Sequence, residues 1–159
     1  MSISIHRVLF VCTGNTCRSP MAEALFNAAA ALRGNPSLSA QSAGVFAAPG
    51  DPMTVPSAIA LQRLGIDAPA HTARRLTPQL LAEADLVLAL ERRHWQIICE
   101  QYPKYAPKAH VLLAYVHALA GTAAPGSTDI SDPYGAPQEV YDQTALALQC
   151  AIAALLAHL

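Results

Sequence analysis

The chain has 159 residues, 53% of them apolar and only 13% charged, a mix that suits one globular domain with a substantial core and excludes a disordered chain. Ten Lys and Arg nearly cancel eleven Asp and Glu, so no overall field favours nucleic acid or an anionic membrane, and any anion specificity has to be local. The start, Met1 to His6, is too short and polar for a signal peptide, and no apolar stretch approaches the ~18 residues of a membrane span. A cytoplasmic, reducing setting is therefore expected, with the four cysteines as thiols.

Apolar runs alternate with helical patterns, which predicts an α/β fold: a four-stranded parallel sheet with helices on both faces. The first strand is expected over Arg7 to Val11, followed by a tight polar loop from Cys12 and a helix from Pro20 to Leu32, stopped by Gly34-Asn35-Pro36. A short strand near Leu38 to Ser42 precedes a Gly/Pro-rich loop, and Pro56 to Leu64 reads as a helix closed by Gly65. Thr77-Pro78 opens a short helix through Glu83, and the wholly apolar Leu86 to Leu90 reads as a buried central strand. A helix over Glu91 to Gln101, a last strand over His110 to Leu113 and a closing helix over Pro137 to His158 complete the prediction. The longest loop, Gly121 to Ala136, contains Asp129, Asp132 and Tyr134, and a loop of that length in a small domain is often functional. No repeat or linker divides the chain, so one domain over 1–159 is expected.

The loop after the first strand, Cys12-Thr13-Gly14-Asn15-Thr16-Cys17-Arg18-Ser19-Pro20, holds the richest chemistry. In a parallel sheet it lies at the carboxyl end of a strand, where ligands bind. It opens a helix, whose unpaired N–H groups favour an anion, and Arg18 adds a planar fork suited to two phosphoryl oxygens. The same groups, with a hydroxyl from Ser19, are expected to lower the Cys12 thiol pKa and make it a nucleophile. Gly14 is expected in a left-handed turn or a close approach to ligand, and Asn15 to tolerate a similar conformation and bond within the loop. Taken singly, Cys12 is a small buried hydrophobe and Gly14 marks an ordinary turn; the full constellation favours a nucleophilic oxyanion site. It is not a Walker A loop, which would end Gly-Lys-Ser/Thr.

Asp132, in Asp132-Pro133-Tyr134-Gly135, is the candidate general acid, although Asp-Pro alone is a common turn. A carboxyl beside a thiolate and a phosphate holds its proton more tightly, which suits donation near neutrality. Cys17 shares the loop with Cys12, and a reversible disulfide would protect an oxidised nucleophile if the two sulfurs meet. Cys99 and Cys150 are expected in the core, Trp95 in packing, and the Arg74-Arg75 and Arg92-Arg93 doublets on the solvated surface. The six histidines lack metal-ligand spacing.

The run Val11 to Glu23 resembles the signature of the low-molecular-weight protein tyrosine phosphatases, and Asp132-Pro133-Tyr134 resembles their second motif. Ser42-Ala43-Gly44, His71 with Leu76-Thr77, and Ala84 to Leu88 fall where that family has similar segments. The resemblance implies Cys12 as nucleophile, Arg18 as phosphate clamp and Asp132 as acid and then base. It also implies phosphate contacts from Thr13, Gly14, Asn15, Thr16, Cys17 and Ser19, a pocket wall at Tyr134, phosphorylated protein substrates, and no cofactor or metal. Within the family, Thr16 in place of the usual isoleucine resembles the bacterial protein arginine phosphatases and implies phosphoarginine as the substrate. Tyr134, where those enzymes can carry Phe, keeps phosphotyrosine open. Two rivals remain: an arsenate reductase, which needs relay cysteines where the middle of the chain has only Cys99, and a non-catalytic phosphate-binding module, which has no need of both Cys12 and Asp132.

Overall fold

The computed structural model describes residues 4–124 and 126–159. In chain order it contains β1 (Arg7–Cys12), α1 (Arg18–Leu32), β2 (Ser39–Gly44), α2 (Val55–Arg63), α3 (Pro78–Glu83), β3 (Leu86–Ala89), α4 (Arg92–Gln101), a 3₁₀ turn (Pro103–Lys108), β4 (Ala109–Val111), α5 (Leu112–Ala120) and α6 (Gln138–Leu156). The strands form one parallel sheet in the order β2-β1-β3-β4. Val8, Phe10, Leu86 and Leu88 point to one face, where α1, α2, α5 and α6 cover them. Leu9, Val11, Val87 and Ala89 point to the other, against Leu81 of α3, Ile98 of α4 and the 3₁₀ turn. This is the alternation that a strand buried on both sides requires. Phe10 meets Phe26 of α1 edge to face, with ring centroids 6.0 Å apart.

Chain order reverses about β1: the chain leaves β1 for β2 on one side, then crosses to β3 on the other. The carboxyl ends of β1 and β3 therefore open on a common crevice. Thr77 caps α3 as its sequence predicts, its hydroxyl accepting from Leu80 N–H at 3.2 Å.

One element departs from the sequence-based prediction. The strand expected over His110 to Leu113 ends at Val111, and Leu112 begins α5, a nine-residue helix that the prediction lacks. Leu112-Leu113-Ala114-Tyr115-Val116 is apolar throughout, so its period does not distinguish strand from helix. The available signal is Gly121, which closes α5 in the left-handed conformation at φ 68°. Cys150 is exposed and Cys99 half-buried, so neither is the core residue expected: Cys150 falls on the face of α6 turned away from buried Leu148, Ile152 and Leu155, and Cys99 at the edge of the buried side of α4.

Candidate active site

Strand β1 continues one residue further than expected and carries Cys12 to its carboxyl end, opposite Gly44 of β2. The loop then closes on α1, which starts at Arg18 with no side chain capping its first turn. Neighbouring segments hold the loop carbonyls: Val45 N–H donates to Cys12 O, Phe46 N–H to Thr13 O, Thr54 N–H to Thr16 O and His71 Nε2 to Asn15 O. The amide edge is left facing inward, and the N–H groups of Asn15 and Ser19 point at the Cys12 sulfur. The cavity these residues enclose, about 220 Å³, is lined by all seven residues from Cys12 to Arg18 together with Asp132 and Tyr134.

The loop keeps its shape through Asn15, which is fully buried and takes the left-handed conformation at φ 55°. Asn15 takes the conformation it is expected to tolerate, and of the two roles expected for Gly14 the left-handed turn is not used. Asn15 supports its left-handed conformation with four fixed bonds, because an amide can both donate and accept. Its Nδ2 donates to Ser19 Oγ at 2.8 Å and to Ser42 Oγ at 3.0 Å, and its Oδ1 accepts from Arg74 N–H at 3.0 Å. The backbone carbonyl of Asn15 takes the fourth bond, from His71. Ser42 passes its own hydrogen to Glu23. Since Ser19 accepts from Asn15, its hydrogen is free to face Cys12 Sγ, 2.8 Å away. Arg74, expected on the solvated surface, also donates from Nε to Ser42 O at 2.9 Å, so one arginine of that doublet braces the loop from behind.

Cys12 is almost completely buried, and burial pushes its thiol up from the ordinary value. The Ser19 hydroxyl, the Ser19 and Asn15 amides and the Arg18 charge pull the other way without overcoming it. Burial thus outweighs the groups expected to depress it. One reason is that Arg18 is shared: its Nη1 pairs with Glu91 and donates to Ile130 O at 2.8 Å. Its Nη2 lies 3.6 Å from Asp132 Oδ2. Asp132 stands across the mouth with its side chain 41% exposed, and its Oδ1 accepts from Tyr134 N–H at 3.1 Å. Tyr134 is 72% exposed and forms the rim. Cys17 is buried with its sulfur 3.5 Å from Thr54 Oγ1 and 3.9 Å from Tyr141 OH; both loop cysteines are free thiols.

Three contributors escaped the sequence reading: Glu91, His94 and Arg93. Glu91 sits two residues beyond β3 and binds Arg18, Arg93 and the first turn of α4. His94 is fully buried; its Nδ1 accepts Glu91 N–H at 3.2 Å, so its Nε2 carries the hydrogen and donates to Thr13 Oγ1 at 2.8 Å. Burial and the Arg18 charge lower its pKa to about 4. Arg93, expected in solvent, also donates to Thr13 Oγ1, at 3.0 Å. The position of Glu91 at the carboxyl end of a buried strand was the available signal.

Residues 7–159 match the family model described as low molecular weight phosphotyrosine protein phosphatase. The chain belongs to that family. As a member it is a protein phosphatase, and its fold is the one its relatives share. It is 43% identical over 137 residues to a protein-arginine-phosphatase of Bacillus subtilis, covering 86% of this chain and 85% of that one. Among solved structures, a YwlE arginine phosphatase mutant with a phosphorylated active-site serine superposes with a TM-score of 0.86 at 38% identity, covering 95% of this chain and 93% of that one. A low molecular weight protein tyrosine phosphatase from T. tengcongensis superposes with a TM-score of 0.87 at 44% identity, covering 96% and 99%.

Proposed function

We propose that this phosphatase removes phosphoryl groups from arginine side chains of proteins through a phosphocysteine intermediate. The observation that carries the chemistry is the Cys12 sulfur at the floor of a cradle made of amides, the Ser19 hydroxyl and the Arg18 guanidinium, with Asp132 across the opening. The Cys12 thiolate attacks phosphorus and the S–P bond forms as the N–P bond breaks. Asp132 gives its proton to the departing guanidine nitrogen. Water then attacks phosphorus, the Asp132 carboxylate takes its proton, and the S–P bond breaks to return the thiolate and release phosphate. Arg18 and the inward amides, with Thr13, Gly14, Thr16 and Cys17 completing the loop, hold the equatorial oxygens through both steps.

The preference for phosphoarginine draws on two supports: the similarity to arginine phosphatases and Thr16 at the cavity wall. Once the proton is delivered, the ionised Asp132 would face a guanidinium, a partner a phenol does not offer. Phosphotyrosine is the second reading, favoured by Tyr134 on the rim and by the similar tyrosine phosphatase from T. tengcongensis. Comparing kcat/KM on phosphoarginine and phosphotyrosine peptides decides between them. Wild type should prefer phosphoarginine and Thr16→Ile should shift toward phosphotyrosine, while Cys12→Ser loses both. A wild type that strongly prefers phosphotyrosine would overturn the arginine assignment. A cytoplasmic location and protection of oxidised Cys12 by Cys17 belong to the same reading; among the described residues no helix is long and apolar enough to cross a membrane.

A further inference from the structure

The segment between α5 and α6 carries Asp132 across the cavity, yet just before that residue it is fastened to the body of the protein. Asp129 Oδ1 accepts the backbone N–H of Arg92, the first residue of α4, at 2.7 Å. Ile130 is buried in the core; its N–H donates to Leu90 O at 2.8 Å, and its carbonyl accepts from Arg18 Nη1 at 2.8 Å. Asp129 is therefore the outermost of three consecutive attachments, and Asp132 follows only two residues after the last. A carboxylate there is favoured twice over, by the unpaired N–H and by the positive end of the helix dipole.

We propose that Asp129 is a positioning residue for catalysis: it docks the Asp132 loop on the amino end of α4 and so sets the reach of the Asp132 carboxyl over Cys12. This rests on the reading of Asp132 as the general acid. Without Asp129 the two Ile130 bonds still hold the loop near the body, but its approach to the cavity loses the outermost of its three attachments. Proton donation needs hydrogen-bond reach, so the loss falls on reactions that require a proton at the leaving atom. The bond that Asp129 makes is to α4 and not to the loop from Cys12 to Arg18.

The test compares kcat/KM on phenyl phosphate, whose leaving group needs a proton, with that on p-nitrophenyl phosphate, whose leaving group hardly does. Asp129→Ala should lose about tenfold on phenyl phosphate and no more than about twofold on p-nitrophenyl phosphate, a small part of the full general-acid effect. Asp129→Asn keeps an oxygen for the Arg92 N–H and should stay within about twofold of wild type on both, as a rescue of the docking bond. Arg92→Pro deletes the donor while leaving Asp129 in place, and proline suits the first helical position, so it should reproduce the Asp129→Ala pattern. Glu91 ahead of it is already extended, at φ −137° and ψ 158°, as a residue before proline prefers. Inhibition by inorganic phosphate should be unchanged in all three.

Equal losses on both substrates, weakened phosphate inhibition, or no loss in either Asp129→Ala or Arg92→Pro would overturn the proposal, provided Asp132→Asn shows the leaving-group dependence. If Asp132→Asn does not show it, the general-acid reading fails and this inference with it.

Discussion

Asn15 sets the polarity of the whole cradle. Its two amide hydrogens go to the hydroxyl oxygens of Ser19 and Ser42; Ser42 donates its own hydrogen to Glu23, and the Ser19 hydroxyl keeps its hydrogen available for the Cys12 sulfur 2.8 Å away. Single bonds of this kind contribute about 1 kcal/mol, but leaving one buried member unpartnered costs more, so the network acts as a unit. His94 plays the equivalent part on the opposite side, holding Thr13 in its neutral form. Arg18 and Arg93 push its pKa further below the ordinary value, and Glu91 and Asp129 offset them only partly. Its folded value of about 4 lies below the unfolded value near 6.5, so the unfolded chain takes up the proton first as pH falls. The stability contributed by neutral His94 is complete above pH ~6.5 and is lost progressively toward pH ~4, by about 3 kcal/mol in all. Urea unfolding at pH 7.5 and 4.5 should show that decline in wild type and a clearly smaller one in His94→Gln. Equal declines in the two proteins would contradict the assignment.

Among the elements, β2 governs the loop by coming very close to it. A Cβ at Gly44 would lie 2.4 Å from Thr13 O and 3.0 Å from Asn15 N, so only glycine lets the strand end pass beneath the backbone of the loop after β1. Gly44→Ala should therefore cost about 1–3 kcal/mol of stability, as overpacking does, and lower kcat/KM by displacing the loop amides. Thermal unfolding and turnover of p-nitrophenyl phosphate check both parts; an unaltered melting temperature with full activity would show that the loop is not so constrained. How much of this was legible varies with the kind of interaction. Strand β1, helix α1 and strand β3 announce themselves through apolar runs joined to cap and breaker residues, and the cysteine-to-arginine spacing marks the loop. Helix α5 did not, because an apolar segment of few residues has no readable period. Glu91, His94, Arg93 and Arg74 did not either: the loop and strand groups their side chains hold lie 32 to 81 residues away along the chain, and no local pattern reports such pairings.

At the scale of the whole molecule, the strand order decides what can meet. Because β1 lies between β2 and β3, the loop after β1 and the Glu91 turn after β3 open side by side, and Ile130 brings the Asp132 segment into the same crevice by bonding to both. Arg18 joins all three parts through Glu91, the Ile130 carbonyl and Asp132. Nine residues drawn from two distant stretches of chain thus enclose one small cavity with a sulfur at its floor. In the proposed mechanism the phosphoryl group passes through that sulfur. The most direct measurement is rapid acid quenching of wild type and Asp132→Ala during turnover of a phosphorylated substrate, followed by mass spectrometry of the peptide containing Cys12 under conditions that preserve phosphocysteine. A phosphoryl adduct on Cys12, more abundant in Asp132→Ala because its hydrolysis is slowed, is the predicted result. Turnover at the normal rate with no adduct on Cys12, or with the adduct on another residue, would contradict it.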